Sequence, residues 1–295
     1  GMSRAGGYLP AEVASEWFAD PLAFVVSATG AVGTALPVPG GYRVSGRWPF
    51  GSGSSHATWF AVLCEVDEGQ PAGQGRMIFA FVPRSAVTVI DTWHASGLRA
   101  TASCDFTIAD ASVPAAFCHD FQPTPTQPGT TYRLPTRSIF SWTVATVPLG
   151  IATAALSAFR ALAAGHRRQG GAVPLAERES VQSEVGRIAA RIGAARAYLR
   201  STMGDLCRHV EAGDPMNADV RLELRLAAAL AGETASRSVA KLCDIAGAAA
   251  VFEASPLERC ERDVRAAVKH VAMSPAIYVT EGQGRLGLDI SAARF

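Results

Sequence analysis

From Val181 to Val210 one apolar residue follows another at steps of three and four: Val181, Val185, Ile188, Ile192, Ala195, Leu199, Met203, Leu206, Val210. At 3.6 residues per turn these positions share one face. The stretch therefore predicts a single long amphipathic helix that must bury its stripe against other helices. Leu222, Leu226 and Leu230 predict a second helix, begun after Asp214-Pro215. An earlier one runs from about Ser138 to Arg168. His166, Arg167 and Arg168 fall in its last turn, where cations favour the helix dipole, and Gly170-Gly171 stops it. Another starts at Ser255-Pro256, with Ser as N-cap and Pro at N1.

Upstream of about residue 135 the pattern changes. Gly41-Tyr42-Arg43-Val44-Ser45-Gly46-Arg47-Trp48 alternates large and polar residues, the period-two signature of a half-buried strand. Thr58–Val66, Met77–Pro83, Val87–Trp93 and Ser103–Ile108 read as further strands, with Gly69-Gln70-Pro71-Ala72-Gly73 turning between two of them. A proline-rich linker, Pro123 to Pro135, separates the halves. The expected fold class is α+β: an antiparallel β-barrel or sandwich domain followed by a C-terminal four-helix bundle.

Composition limits the function classes. With 48% hydrophobic and 18% charged residues in 295, the chain can build a sizeable core and is not composed for disorder. Lys+Arg 27 against Asp+Glu 26 leaves no basic excess, so no nucleic-acid partner is expected. Only Lys241 and Lys269 are lysines; the arginine preference, beside abundant Ala and Gly, reads as genomic base-composition bias. Six cysteines form no Cys-x-x-Cys pair, and six histidines show no metal-ligand spacing. Reduced thiols, no metal and a cytoplasmic location are expected. Gly1 before Met2 reads as a tag-cleavage remnant, and no basic stretch followed by an apolar run suggests a secretion signal. Ser138 to Phe159 carries no charge and is long enough to cross a bilayer. Its serines, threonines and central Pro148 fit a buried bundle helix better, so no membrane contact is expected.

No Gly-x-Gly-x-x-Gly follows a strand, and neither a Walker loop nor a Gly-x-Ser-x-Gly elbow occurs. The informative string is Trp48-Pro49-Phe50-Gly51-Ser52-Gly53. It ends a strand and enters a glycine-rich turn where backbone amides can approach a ligand. Trp48 and Phe50, two apart, share one face that can flank a flat ring. On composition alone, a core tryptophan followed by a flexible loop is the favoured reading.

The whole string Gly40-Gly41-Tyr42-Arg43-Val44-Ser45-Gly46-Arg47-Trp48-Pro49-Phe50-Gly51-Ser52-Gly53 resembles the middle domain of the acyl-CoA dehydrogenase superfamily. It is most similar to the flavin-dependent monooxygenase branch, typified by the oxygenase component of 4-hydroxyphenylacetate hydroxylase. Further strings match in order. Asp91-Thr92-Trp93 precedes Gly97-Leu98-Arg99-Ala100-Thr101-Ala102-Ser103, which has Ala at two places where the branch carries Gly. Ala246-Gly247, then Ser255-Pro256-Leu257-Glu258-Arg259 and Arg262-Asp263, resemble the segment entering the last helix, continued by Ala266-Ala267-Val268-Lys269-His270.

The resemblance runs from about Gly7 to the C-terminus. It implies a β-barrel middle domain over 40–134, a four-helix bundle over 135–295 and a homotetramer built on the bundles. Residues 1–39 would be the remnant of an N-terminal helical domain most of which this sequence lacks. A flavin, FAD or FMN, is implied between the barrel and the helices of its own and a neighbouring subunit. Trp48, Phe50, Ser52 and Gly53 would line the isoalloxazine, with the Ser52 hydroxyl steering its reactive edge, and the Ala246-Gly247 turn would pass near it. Residues 121 to 176 contain no Asp or Glu but include Arg133, Arg137, Arg160, Arg167 and Arg168. That favours an anionic flavin phosphate in principle, but a basic helix end and the arginine bias account for it, and no site is assigned there.

His270 separates the branches. In acyl-CoA dehydrogenases an Arg-Asp pair is followed by a Glu-Gly-Thr string whose Glu often serves as base. Here Asp263 is followed seven residues later by His270, and Glu281-Gly282-Gln283 lies too far along to fill that place. Imidazole can deprotonate or hydrogen-bond a phenol and support a flavin C4a-hydroperoxide near neutral pH. The resemblance thus implies the oxygenase component of a two-component monooxygenase. It would take reduced flavin from a separate reductase, bind O2 and hydroxylate a small aromatic substrate, with Ser52 and His270 as catalytic residues. Two alternatives stay open: an acyl-CoA dehydrogenase-type enzyme that keeps FAD bound, and a truncated, non-catalytic tetrameric scaffold. For His270 itself, a helix-surface or subunit-contact role is the plainer alternative.

Overall fold

The computed structural model describes residues 2–121, 123–167, 171, 173–214 and 218–290. It divides into two compact units, Gly1–Ala95 with Arg99–Arg133, and Ser96–Leu98 with Leu134–Phe295.

The first unit holds short helices α1 (Met2–Ala5), α2 (Ala11–Ala19) and α3 (Thr130–Arg133) around seven strands. These are β1 (Val25–Val38), β2 (Gly41–Gly51), β3 (Trp59–Val66), β4 (Met77–Pro83), β5 (Thr88–Ile90), β6 (Cys104–Pro114) and β7 (Cys118–Asp120), in the order β5-β6-β2-β1-β3-β4-β7. Neighbours pair antiparallel except β1 and β3, which are parallel. The sheet is therefore mixed, which corrects the expected all-antiparallel barrel or sandwich. One connection is responsible. β2 returns antiparallel to β1, and residues 52–58 then carry the chain across the start of β1 to its other side, so β3 must run in the direction of β1. The crossing is pinned at Phe24, whose carbonyl accepts from the amides of Thr58 and Trp59 and whose own amide donates to Thr58 Oγ1 at 2.8 Å.

Strand β1 escaped the sequence reading because Gly30, Gly33 and Pro37 interrupt it. Gly33 is there for close packing: a Cβ would sit 2.2 Å from the Trp48 ring. Residues 1–39 are accordingly not a remnant standing apart. They supply the strand between β2 and β3, and α2 covers one face of the sheet, with Val13 and Trp17 against Ala61, Leu63, Phe79 and Phe81. The opposite face buries Val44, Trp48, Phe60, Val62 and Phe106. Strand β3 is thus buried on both sides, alternate residues feeding different cores. Each large side chain taken fully from water contributes about 1.5–3 kcal/mol.

The second unit holds α4 (Thr136–Ala163), α5 (Glu179–Ala212), α6 (Ala218–Ala246), α7 (Pro256–Ala267) and α8 (Ala276–Arg285). The α5 stripe is buried or half-buried at all nine positions. Leu222 is buried on α6, but Leu230 is 37% exposed; Leu224, Ala227, Ala228, Ala231 and Leu242 carry the inward face instead. Alanine dominates that face, so leucine spacing alone misjudged it. Helix α4 buries Ala145, Leu149, Ala152, Ala155 and Phe159 with residues of α5 and α6. By length and composition it is apolar enough to cross a membrane. It stops at Ala163, so His166 and Arg167 lie past its end, and the His166 carbonyl accepts from the Leu175 amide at 2.9 Å. Arg168, Gly170 and Pro215 lie outside the described residues. Ser255 and Pro256 begin α7 as the sequence predicts, but the Ser255 hydroxyl caps nothing.

Candidate functional site

In the first unit, the end of β2 is stapled to the segment entering β6. The Gly53 amide donates to Thr101 O at 2.7 Å, and buried Ser54 donates its hydroxyl to Ala102 O at 2.7 Å. Phe50 (φ 60°) and Ala102 (φ 42°) both hold left-handed backbone, which non-glycine residues rarely adopt and which concentrates at functional sites. Between them lies a chain of three hydroxyls. Ser52 Oγ is 2.8 Å from Ser103 Oγ, which is 2.7 Å from Thr101 Oγ1. Ser103 is 5% exposed, whereas Ser52 stands at the surface. A serine hydroxyl donates one hydrogen and accepts two, so the chain can run in either direction. Ser52 can donate outward while accepting from Ser103, or accept from outside while donating to it.

Phe50 is 66% exposed and stands edge-on to Trp93, ring centroids 6.4 Å apart. Trp93 and Ala102 also line a cleft of about 400 Å³ with Asp91, Arg99 and Cys104. Exposed aromatic edges beside a hydroxyl of either polarity suit the edge of a planar, polar ring. Trp48 does not join them, which corrects its expected place. It is 0% exposed, donates its indole N–H to Leu63 O at 3.1 Å and stacks on Phe106. The period-two argument put Trp48 and Phe50 on one face, but the left-handed turn at Phe50 throws that ring outward.

In the second unit, Ala246 is 1% exposed and its methyl belongs to the core, so its side chain is not offered to a ligand; Gly247 is exposed and turns the chain at φ 62°. His270 follows α7, half-buried, its ring 5.2 Å from that of Phe140. Its Nδ1 accepts the Ala272 amide at 3.1 Å, so in the neutral ring Nε2 carries the hydrogen. Burial, and then the Arg225 cation, push the His270 pKa below its ordinary value. Of the two expected roles, this arrangement supports the hydrogen-bond donor: a proton on Nδ1 would break the Ala272 contact.

Two strings far apart in sequence also meet within this unit. The Leu98 amide donates to Asp263 Oδ1 at 2.7 Å, and Arg262 donates to Ser96 O at 2.9 Å. The sequence signalled both strings but not their contact. Sequence reading also missed Ser103 as a partner of Ser52. Among the described residues no group of three His, Cys, Asp or Glu side chains could hold a metal.

Comparison with known proteins adds to this geometry. Residues 142–275 match the family described as acyl-CoA dehydrogenase, C-terminal domain. The chain is 31% identical to an indole-3-acetate monooxygenase of Pseudomonas putida, over 83% of this chain and 62% of that protein. It is 29% identical to a flavin-dependent monooxygenase, oxygenase subunit HsaA, of Rhodococcus jostii, over 93% of this chain and 74% of that one. The chain thus spans less than two thirds of the first and about three quarters of the second. Among solved structures, XiaF from a Streptomyces species, in complex with FADH2 and glycerol, superposes with a TM-score of 0.86 at 25% identity, over 99% of this chain and 76% of that one.

Proposed function

We propose that the chain is a flavin-dependent monooxygenase of the acyl-CoA dehydrogenase superfamily, the oxygenase component of a two-component enzyme hydroxylating a small aromatic substrate; its likeness to the family model, to the two monooxygenases and to XiaF supports this. The observation that carries this reading is the Ser52–Ser103–Thr101 hydroxyl chain opening beside exposed Phe50 and half-buried Trp93. Bound flavin, FAD or FMN received reduced from a separate reductase, supplies the activation of O2. The residues of the chain bind and orient. Ser52 meets the ring edge, and its reversible hydrogen bond suits a nitrogen that accepts when the ring is oxidised and carries hydrogen when it is reduced. Phe50 and Trp93 keep water from that edge, while the backbone of Gly53 flanks the cofactor. His270 donates Nε2–H to an oxygen of the substrate.

The exposed side of α4 supports a homotetramer. Thr143, Val147, Gly150, Ala154, Ser157 and Ala161 recur at steps of three and four, all exposed and none charged. We read this seam as the contact between copies in a cytoplasmic, membrane-free assembly of helical bundles.

Anaerobic titration with reduced FMN and FADH2, followed by flavin fluorescence, tests the reading. Saturable binding that weakens in Ser52→Ala supports it, and no binding of either flavin refutes it.

A further inference from the structure

Ser54 is buried at 0% exposure, and its hydroxyl donates across 48 positions of sequence to Ala102 O at 2.7 Å. The residue before it grips the neighbouring carbonyl: the Gly53 amide donates to Thr101 O at 2.7 Å. Two successive residues of the turn after β2 thus hold two successive carbonyls of the segment entering β6. The hold falls where the backbone resists it. Ala102 stands at φ 42°, in the left-handed region that a Cβ disfavours.

That turn is what closes the hydroxyl chain. Along an extended strand, side chains two residues apart are separated by about 6.6 Å, out of reach of two short hydroxyls. Here Thr101 Oγ1 and Ser103 Oγ meet at 2.7 Å, because left-handed Ala102 folds the backbone between them. Ser103 then also reaches Ser52 at 2.8 Å. Alanine has no preference of its own for this conformation, and the Ser54 hydroxyl supplies one. Leaving the turn would strand a buried hydroxyl without its acceptor, which is costly.

We propose that Ser54 is a positioning residue: acting through the Ala102 carbonyl, it latches the turn that holds Ser103 against Ser52 and so aims the Ser52 hydroxyl at the flavin edge. This rests on the proposed flavin-binding reading and deepens it. Ser54 touches no ligand itself; its effect passes entirely through Ser52.

Anaerobic fluorescence titration of the full chain with reduced FMN and FADH2 tests this. Ser54→Ala should weaken binding about three- to tenfold, as loss of the Ser52 hydrogen bond does. In a Ser52→Ala background the same substitution should change affinity less than about 1.5-fold, because its route to the ligand is gone. Adding Ala102→Gly to Ser54→Ala should restore most of the lost affinity, since glycine takes the left-handed turn without a latch. Circular dichroism at the titration temperature checks that each variant is folded. If Ser54→Ala fails to fold, Ser54→Cys, similar in size and a weak donor, answers instead, with a loss of about two- to threefold that likewise vanishes beside Ser52→Ala. Wild-type affinity in the folded Ser54 variant, a loss of equal size with and without Ser52, or no recovery with Ala102→Gly overturns the inference. If wild type binds neither flavin, the underlying reading fails. If wild type binds and Ser52→Ala weakens it while the Ser54 variant does not, this inference alone fails.

Discussion

The buried hydroxyl of Ser103 lies 2.8 Å from the surface hydroxyl of Ser52. Through it Ser52 is tied to Thr101, 2.7 Å further on. Ser103→Ala would remove the hydroxyl that bridges the two and with it the hydrogen bond that orients Ser52. Flavin affinity should fall about three- to tenfold in Ser103→Ala, as in Ser52→Ala, because one net hydrogen bond is at stake. Fluorescence titration of both variants checks this. An affinity unchanged by Ser103→Ala would remove the hydroxyl chain from the account.

His270 gives the fold a pH dependence of known sign. Its folded pKa lies below the ordinary 6.5, so the unfolded chain takes up a proton where the folded chain does not. Stability from this group is present above about pH 6.5 and is lost as pH falls toward the folded pKa. Half-buried His119, also held below 6.5 by burial, acts in the same direction. His270→Asn keeps an oxygen acceptor for the Ala272 amide, so it should fold, and its stability should drop less between pH 7.5 and 5.5 than that of wild type. Urea midpoints at the two pH values measure this; parallel losses would contradict it.

Gly97 lies so close to α7 that a Cβ would stand 2.1 Å from the Arg262 carbonyl oxygen. Gly97→Ala should therefore destabilise the second unit by about 1–3 kcal/mol, the usual cost of overpacking. Asp263→Ala, which removes the carboxylate acceptor of the Leu98 amide, should cost about as much. Denaturation followed by helical circular dichroism reads both. A midpoint within error of wild type for Gly97→Ala would show that the segment 96–98 does not pack on α7.

The uncharged seam on α4 makes a prediction about assembly. Val147→Glu with Ala154→Glu places two charges on it. Sedimentation should show smaller species than wild type, with helix content preserved. An unchanged sedimentation coefficient would place the contact between copies elsewhere.

The helical half was legible because periodicity survives in side chains of many kinds: all nine α5 positions face inward. It failed on α6 where alanines, weak in any hydrophobicity pattern, carry the buried face. The strands with large residues, β2, β3 and β4, were visible, while β1 was hidden by the small residues that let Trp48 pack against it. Its absence from the reading is why the parallel pairing was missed. For the site, the string around Ser52 stood out in the sequence, but the side chains of Trp48 and, in the second unit, Ala246 proved to be core. A pattern of two places side chains on a face only while the backbone stays extended, and Phe50 at φ 60° ends that condition. Ser103 had no local signature, since it matters through a partner remote in sequence.

The most direct measurement is a single turnover. The chain is loaded with reduced flavin and a small aromatic substrate, then mixed with isotopically labelled dioxygen, and the product is weighed by mass spectrometry. The account predicts a hydroxylated product carrying one labelled oxygen, in a yield that falls in Ser52→Ala and His270→Ala. Complete oxidation of the flavin with hydrogen peroxide as the sole product would contradict it.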